Sequence, residues 1–251
     1  FPYGKKSKSQ LTKIIIKTLN FLDQQFHPDL IVIGSNTPSL LVEINKKNIV
    51  KVLPPIKNAS KLSTTGNIAI LATRATVESK LLSEYLRKSN LPKHVKVKKI
   101  DVSKLINLVE HTKFISDQKL CERMIKKILA EQFSKFNIDV ATLSSTHLPF
   151  LLPLLKKQFP DIIFLDPAEE VARKVKRIMI KKQSKTNRLK IFTSSDPKRF
   201  ESALLRMRIK KSIRVHKFYP HNFFRWSFDL VFAFLNIWLY VLSYRREYSY
   251  D

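Results

Sequence analysis

Apolar residues recur at Leu11, Ile14, Ile15, Leu19, Leu22 and Phe26, the spacing that gathers them on one face of a helix over residues 9–26. His27-Pro28 breaks that pattern, and the unbroken apolar run from Leu30 to Gly34 has the length of a buried strand. A helical stretch over 38–46 and a short strand over 49–53 follow, ahead of Pro54-Pro55. The alternation then repeats. A strand over 67–72 leads through Thr73-Arg74-Ala75-Thr76 into a helix carrying Val77, Leu81, Leu82, Tyr85 and Leu86. The lysines of a strand over 95–100 suit an exposed sheet edge. A long helix spans 115–136, with Cys121 as a small packed side chain, and the strand at Val140 runs through a polar turn into a helix over 149–158. Strand 162–165, a helix over 168–180 with Pro167 at its first turn, strand 191–193 and a helix from Asp196-Pro197 toward Met207 complete the series. Strands that alternate with helices predict an α/β fold with mostly parallel sheets flanked by helices.

One local pattern occurs twice. Asp29 leads through an apolar run to Ser35 six residues on, and Asp139 leads in the same way to Ser145. Each serine is followed by a threonine, a proline and an apolar pair, Leu40-Leu41 and Leu151-Leu152. Ligands collect at the carboxyl ends of parallel strands, where the N–H groups of the next helix meet an anion. The segment from Thr76 to Ser79 is a further place for such N–H groups. The plainer reading of each turn is Ser/Thr capping alone.

With 47 Lys and Arg against 20 Asp and Glu, the formal charge is +27, a field that draws anions. The lysines are spread over most elements without aromatic interleaving, so no specific nucleic acid is expected as a partner. One cysteine excludes an internal disulfide, no Cys/His group has zinc spacing, and a reducing cytoplasm is the expected location. The first seven residues hold neither an initiating Met nor an apolar signal, so an earlier segment is expected to be missing. Residues 223–244 are dense in aromatic and aliphatic side chains. The fifteen uncharged residues between Asp229 and Arg245 fall short of the roughly 20 that a spanning helix needs. They read as a packed or interfacial helix with a peripheral membrane contact.

These residues together resemble the glutamate racemases of the aspartate/glutamate racemase superfamily, which invert an amino acid without pyridoxal phosphate or metal. The resemblance rests on Pro2-Tyr3-Gly4-Lys5-Lys6-Ser7, Gly34-Ser35-Asn36-Thr37-Pro38-Ser39 and Ala72-Thr73-Arg74-Ala75-Thr76-Val77-Glu78-Ser79. It continues in Leu108-Val109-Glu110, Ser144-Ser145-Thr146-His147-Leu148-Pro149 and Leu165-Asp166-Pro167-Ala168-Glu169-Glu170-Val171-Ala172. It implies two pseudo-symmetric lobes with the site between them: residues 1–60 plus 173–216, residues 61–172, and a hydrophobic extension over 217–251. It also implies an acidic amino acid as small-molecule partner, no cofactor and a homodimer. Its substrate-binding residues map onto Tyr3, Gly4, Asn36, Thr37, Thr73, Thr76 and Thr146, and its catalytic positions onto Ser35, Ser145, His147 and Glu110.

Two departures stand out. The family transfers the Cα proton with two cysteines, and both positions are serine here, Ser35 and Ser145. A thiol with an ordinary pKa of about 8.5 can be tuned to a thiolate. An alcohol is far less acidic and needs an adjacent base, which His147 offers to Ser145. The family's Asp-Ser-Gly turn and first strand are expected to be absent, leaving an apolar sheet edge unpaired, and Ser144 replaces a glycine whose turn could demand positive φ. Two functions follow: a glutamate racemase serving peptidoglycan synthesis, or a silent member or decaying gene product that at most binds an acidic amino acid.

Overall fold

The computed structural model describes residues 8–41, 48–179, 191–193, 196–206, 215–217 and 238–242. In chain order the first elements are α1 (Lys8–Phe26), β1 (Leu30–Gly34), α2 (Asn36–Leu41), β2 (Ile49–Lys51), α3 (Ile56–Leu62), β3 (Asn67–Ala72), α4 (Arg74–Val77) and α5 (Lys80–Lys88). Then come β4 (Lys96–Asp101), α6 (Ser103–Glu110), α7 (Lys113–Ser116), α8 (Gln118–Lys135), β5 (Val140–Leu143), a 3-10 turn (Leu148–Leu151) and α9 (Leu152–Gln158). The last are β6 (Ile163–Leu165), α10 (Ala168–Met179), β7 (Ile191–Thr193), α11 (Pro197–Arg206), β8 (Val215–Lys217) and β9 (Trp238–Leu242). The chain divides into two compact units, residues 1–52 with 171–251, and residues 53–170.

In the first unit α1 buries Ile15, Leu19 and Leu22, as its spacing predicts, and stops where His27 turns to a φ of 41°. β1 is buried at all five positions and pairs in parallel with β2. Ser39 fastens this pair: its hydroxyl donates to the Ile33 carbonyl and accepts from the Val52 N–H, each at 3.2 Å. Leu30, Val32, Val50 and Val52 then pack against Val171, Val175 and Met179 of α10. β7 and β8 form a separate parallel pair, and β8 was not legible from the sequence.

The other edge of β1 corrects two expectations. β9 lies against it antiparallel, from Leu242 opposite Leu30 to Trp238 opposite Gly34. Residues 238–242 are therefore a strand and not part of a helix, while the rest of 223–244 lies outside the described residues. The physical reason is that pairing satisfies the row of donors and acceptors along β1, and the Trp-Leu-Tyr-Val-Leu composition suits a pleated surface. The apolar edge expected to stand unpaired is covered on β1.

The second unit holds one sheet in the order β4-β3-β5-β6, parallel throughout. Buried Leu71, Leu105, Ile125, Leu129, Leu143 and Leu148 belong to one continuous core beneath it. β4 is an edge strand, as its lysines suggest, and Lys98 Nζ sits 3.7 Å from the Phe136 ring centroid. The long helix expected over 115–136 is broken at Asp117, whose side chain accepts from the Leu120 N–H at 3.0 Å and caps α8. Likewise α4 and α5 are separate helices, because Ser79 caps α5 by accepting from Leu82 N–H at 3.1 Å. Among the described residues, no helix is long and apolar enough to cross a membrane.

Asp139, at the entrance to β5, ties down the loop before β3. It accepts from Ser63 Oγ at 2.6 Å, Thr64 N–H at 2.6 Å, Thr64 Oγ1 at 3.0 Å and Thr65 N–H at 2.9 Å. Partial burial pushes its carboxyl up, but these hydrogen bonds reverse that and hold it at about 2, below the ordinary 3.8. A depressed carboxylate stabilises the fold above its unfolded value, and the contribution is lost as pH falls through the folded one. Asp139→Asn should therefore cost about 1–2 kcal/mol at pH 7, discounted for its solvent contact, and the gap to the parent should close between about pH 4 and pH 2. Urea melts across that range check the prediction; a gap independent of pH would contradict it.

Candidate functional site

In the second unit the residues picked from the sequence lie at the carboxyl ends of adjacent parallel strands, where ligands of open α/β sheets bind. β3 and β5 run side by side with Leu71 opposite Leu143. The Ser144 N–H donates to Leu71 O at 2.9 Å and extends the ladder by one bond before the chain leaves the sheet. Ser144 is buried, and its hydroxyl shares a 2.9 Å hydrogen bond with Thr142 Oγ1. Its φ is not positive, so the strain expected of a serine replacing glycine is absent.

Ser145 follows, partly exposed, with Oγ 3.4 Å from His147 Nδ1. The His147 N–H also points at that oxygen, at 3.5 Å. His147 is 6% exposed, and its Nε2 lies 3.8 Å from Glu110 Oε1 at the end of α6. Burial pushes the His147 pKa down to about 4, so the ring is neutral at physiological pH. A neutral ring beside a carboxylate favours the proton on Nε2, leaving Nδ1 to accept from the Ser145 hydroxyl. Glu110 is thus placed on the histidine.

At the end of β3, Thr73 caps α4, and the Thr73 and Thr76 hydroxyls meet at 3.0 Å. The expectation of anion-binding N–H groups from Thr76 to Ser79 is not met. The Thr76 and Val77 N–H groups donate to Thr73 O, that of Glu78 to Arg74 O and that of Ser79 to Thr76 O. Local caps and turns consume these donors. Ser103 was not anticipated: it accepts from the Arg74 N–H at 2.9 Å and donates to Asp101 at 2.6 Å, joining the β4 end to the start of α4. The Asp-x-Ser spacing after a strand was the available signal.

In the first unit Ser35 follows β1, is 9% exposed, and its hydroxyl has no hydrogen-bond partner among the described residues. Asn36 is 4% exposed, and neither atom of its amide finds a partner among them. Leaving such a group unmet costs about 1–3 kcal/mol in a buried setting, so this amide calls for a partner beyond the described residues. Thr37 adjoins it, half-buried. Tyr3 and Gly4 lie outside the described residues.

No family model matches the chain. Among curated proteins, the glutamate racemase of Actinobacillus pleuropneumoniae serotype 3 is 31% identical over 185 residues, 71% of this chain and 68% of that one. The glutamate racemase of Pasteurella multocida is 31% identical over 199 residues, 74% of this chain and 71% of that one. Among solved structures, a Bacillus anthracis glutamate racemase aligns over 87% of this chain and 84% of its own, with a TM-score of 0.73 at 24% identity. A Francisella tularensis glutamate racemase in complex with D-glutamate gives a TM-score of 0.71 at 21% identity, over 88% and 84% of the two chains.

Proposed function

From the chain's membership of the glutamate racemase family, we propose that it binds glutamate and interconverts its enantiomers by proton transfer at Cα, with Ser35 and Ser145 as the two acid/base positions. The observation that carries this reading is the series Ser145 Oγ, His147 Nδ1 at 3.4 Å, and Glu110 3.8 Å beyond Nε2. A hydroxyl transfers a proton only with a base at hand, and this one has it. The unmet Asn36 amide supports a ligand beside Ser35, and Thr37, Thr73, Thr76 and Thr146 supply hydroxyls for the carboxylates and ammonium of glutamate. Tyr3 and Gly4 join them in this reading. In this reading one lobe comprises residues 1–60 with 173–216 and the other residues 61–172. The product would be D-glutamate for peptidoglycan synthesis, made in the cytoplasm by a homodimer.

One observation favours a second reading. Ser35 has no base partner among the described residues, so a protein that binds glutamate without turning it over fits this station better than a racemase does. Incubating the full chain with L-glutamate in deuterated water separates the two. Racemisation replaces the Cα proton by deuterium and accumulates D-glutamate, and His147→Ala lowers the rate by about 10²–10⁴-fold. No exchange above a protein-free blank, with glutamate binding intact, sinks the racemase reading and leaves the binder.

A further inference from the structure

A serine acts as a nucleophile when a base lies within reach, a third group fixes that base, and donors await the oxyanion. All three lie near Ser145. Its Oγ is 3.4 Å from His147 Nδ1, and Glu110 stands 3.8 Å from Nε2, longer than a hydrogen bond but close enough to bias the tautomer. The backbone N–H groups of Ser145 and Thr146 have no hydrogen-bond partner among the described residues, since the ladder ends at Ser144. The nucleophile's own N–H and that of the next residue are common oxyanion donors. Ser145 is also partly exposed, whereas His147 is buried behind it.

We infer that Ser145 is the nucleophile of an acyl-transfer reaction, by which the protein hydrolyses activated carboxylic esters. Ser145 Oγ bonds to the ester carbonyl carbon while its proton passes to His147 Nδ1. The Ser145 and Thr146 N–H groups hold the oxyanion. Collapse breaks the bond to the leaving alcohol, which takes the proton from His147, and leaves an acyl ester on Ser145. Water attacks that ester with His147 again as base, releasing the carboxylic acid and restoring the serine. The long distances in the relay call for a good leaving group. Glu110 is a positioning residue here. The inference uses the second unit alone and stands whether or not glutamate is racemised.

The test uses the full chain with 4-nitrophenyl acetate and, separately, a fluorophosphonate probe. The expected result is a burst of one equivalent of nitrophenolate and a single probe adduct, mapped by peptide mass to Ser145. Ser145→Ala should abolish both, while Ser83→Ala, an exposed serine elsewhere, should keep both. His147→Ala should slow the burst by about 10²-fold or more. Glu110→Gln should slow it and Glu110→Asp restore it, with equal thermal melts. Because His147 is neutral throughout, the burst rate should be level from pH 6 to pH 8. An adduct on any other residue, an equal burst in Ser145→Ala, or a rate climbing tenfold per pH unit would overturn the inference. Should Ser145→Ala fail to fold, the adduct's position in the parent chain decides alone.

Discussion

Ser145→Cys should raise the rate of Cα proton exchange on glutamate by about 10²-fold or more over the parent chain, and the double variant with Ser35→Cys should raise it further. A thiol with an ordinary pKa of about 8.5 is a few per cent thiolate at pH 7 before any tuning. An alcohol has essentially no conjugate base at that pH, and each pKa unit separating the two groups corresponds to about 1.36 kcal/mol. Position 145 receives the sulfur well, because His147 Nδ1 already faces the oxygen there at 3.4 Å. Ser35 lacks such a partner among the described residues, so the single change there should gain less than the change at 145. Deuterium incorporation followed by proton NMR gives the rates. Equal rates in the parent and the double variant would show that something other than the reacting atoms limits this chain.

Leu143→Ala should cost about 3–5 kcal/mol of stability. Leu143 ends a central strand, is fully buried, and joins β5 to the core shared with Leu71, Leu105, Leu148 and Leu151. The close packing of a parallel sheet covered by helices leaves little room for collapse around the lost atoms. Against a total of about 5–15 kcal/mol for an ordinary domain, that loss brings unfolding within reach of mild denaturant. Ser144 and Ser145 follow directly, so exchange and ester chemistry should fall with it even where the variant stays folded. Urea midpoints measure the first effect. A cost below about 1 kcal/mol would mean that the core relaxes into the space.

Much of this was legible in the residues. The 3.6-residue spacing of α1 and the unbroken apolar runs of β1, β3 and β5 located those elements, since burial on one face or on both imposes those periods. Breaks inside helices were not, because they depend on single side chains turning back on the backbone: Asp117 on Leu120, Ser79 on Leu82. The tail failed for a different reason. A short apolar run has no period of its own, and residues 238–242 became a strand through the open edge of β1, an element some two hundred residues away in sequence. The turn after β5 was visible as a strand running into a polar stretch, but the roles of Ser145 and His147 came through the family resemblance. Glu110 was placed only through the family resemblance, since nothing local in Leu108-Val109-Glu110 says that the end of α6 reaches the imidazole. The unmet amide of Asn36 could not be read from sequence at all, because it is a property of surroundings.

We propose that this chain keeps the family's place for glutamate while presenting serines as its reacting groups. Calorimetric titration of the full chain with glutamate tests it most directly. Saturable binding of one glutamate per chain is expected, with a Kd below about 1 mM, equivalent to about −4 kcal/mol, weakened at least tenfold by Asn36→Ala. Absence of heat at millimolar glutamate from a folded chain, or binding unchanged in Asn36→Ala, would contradict it.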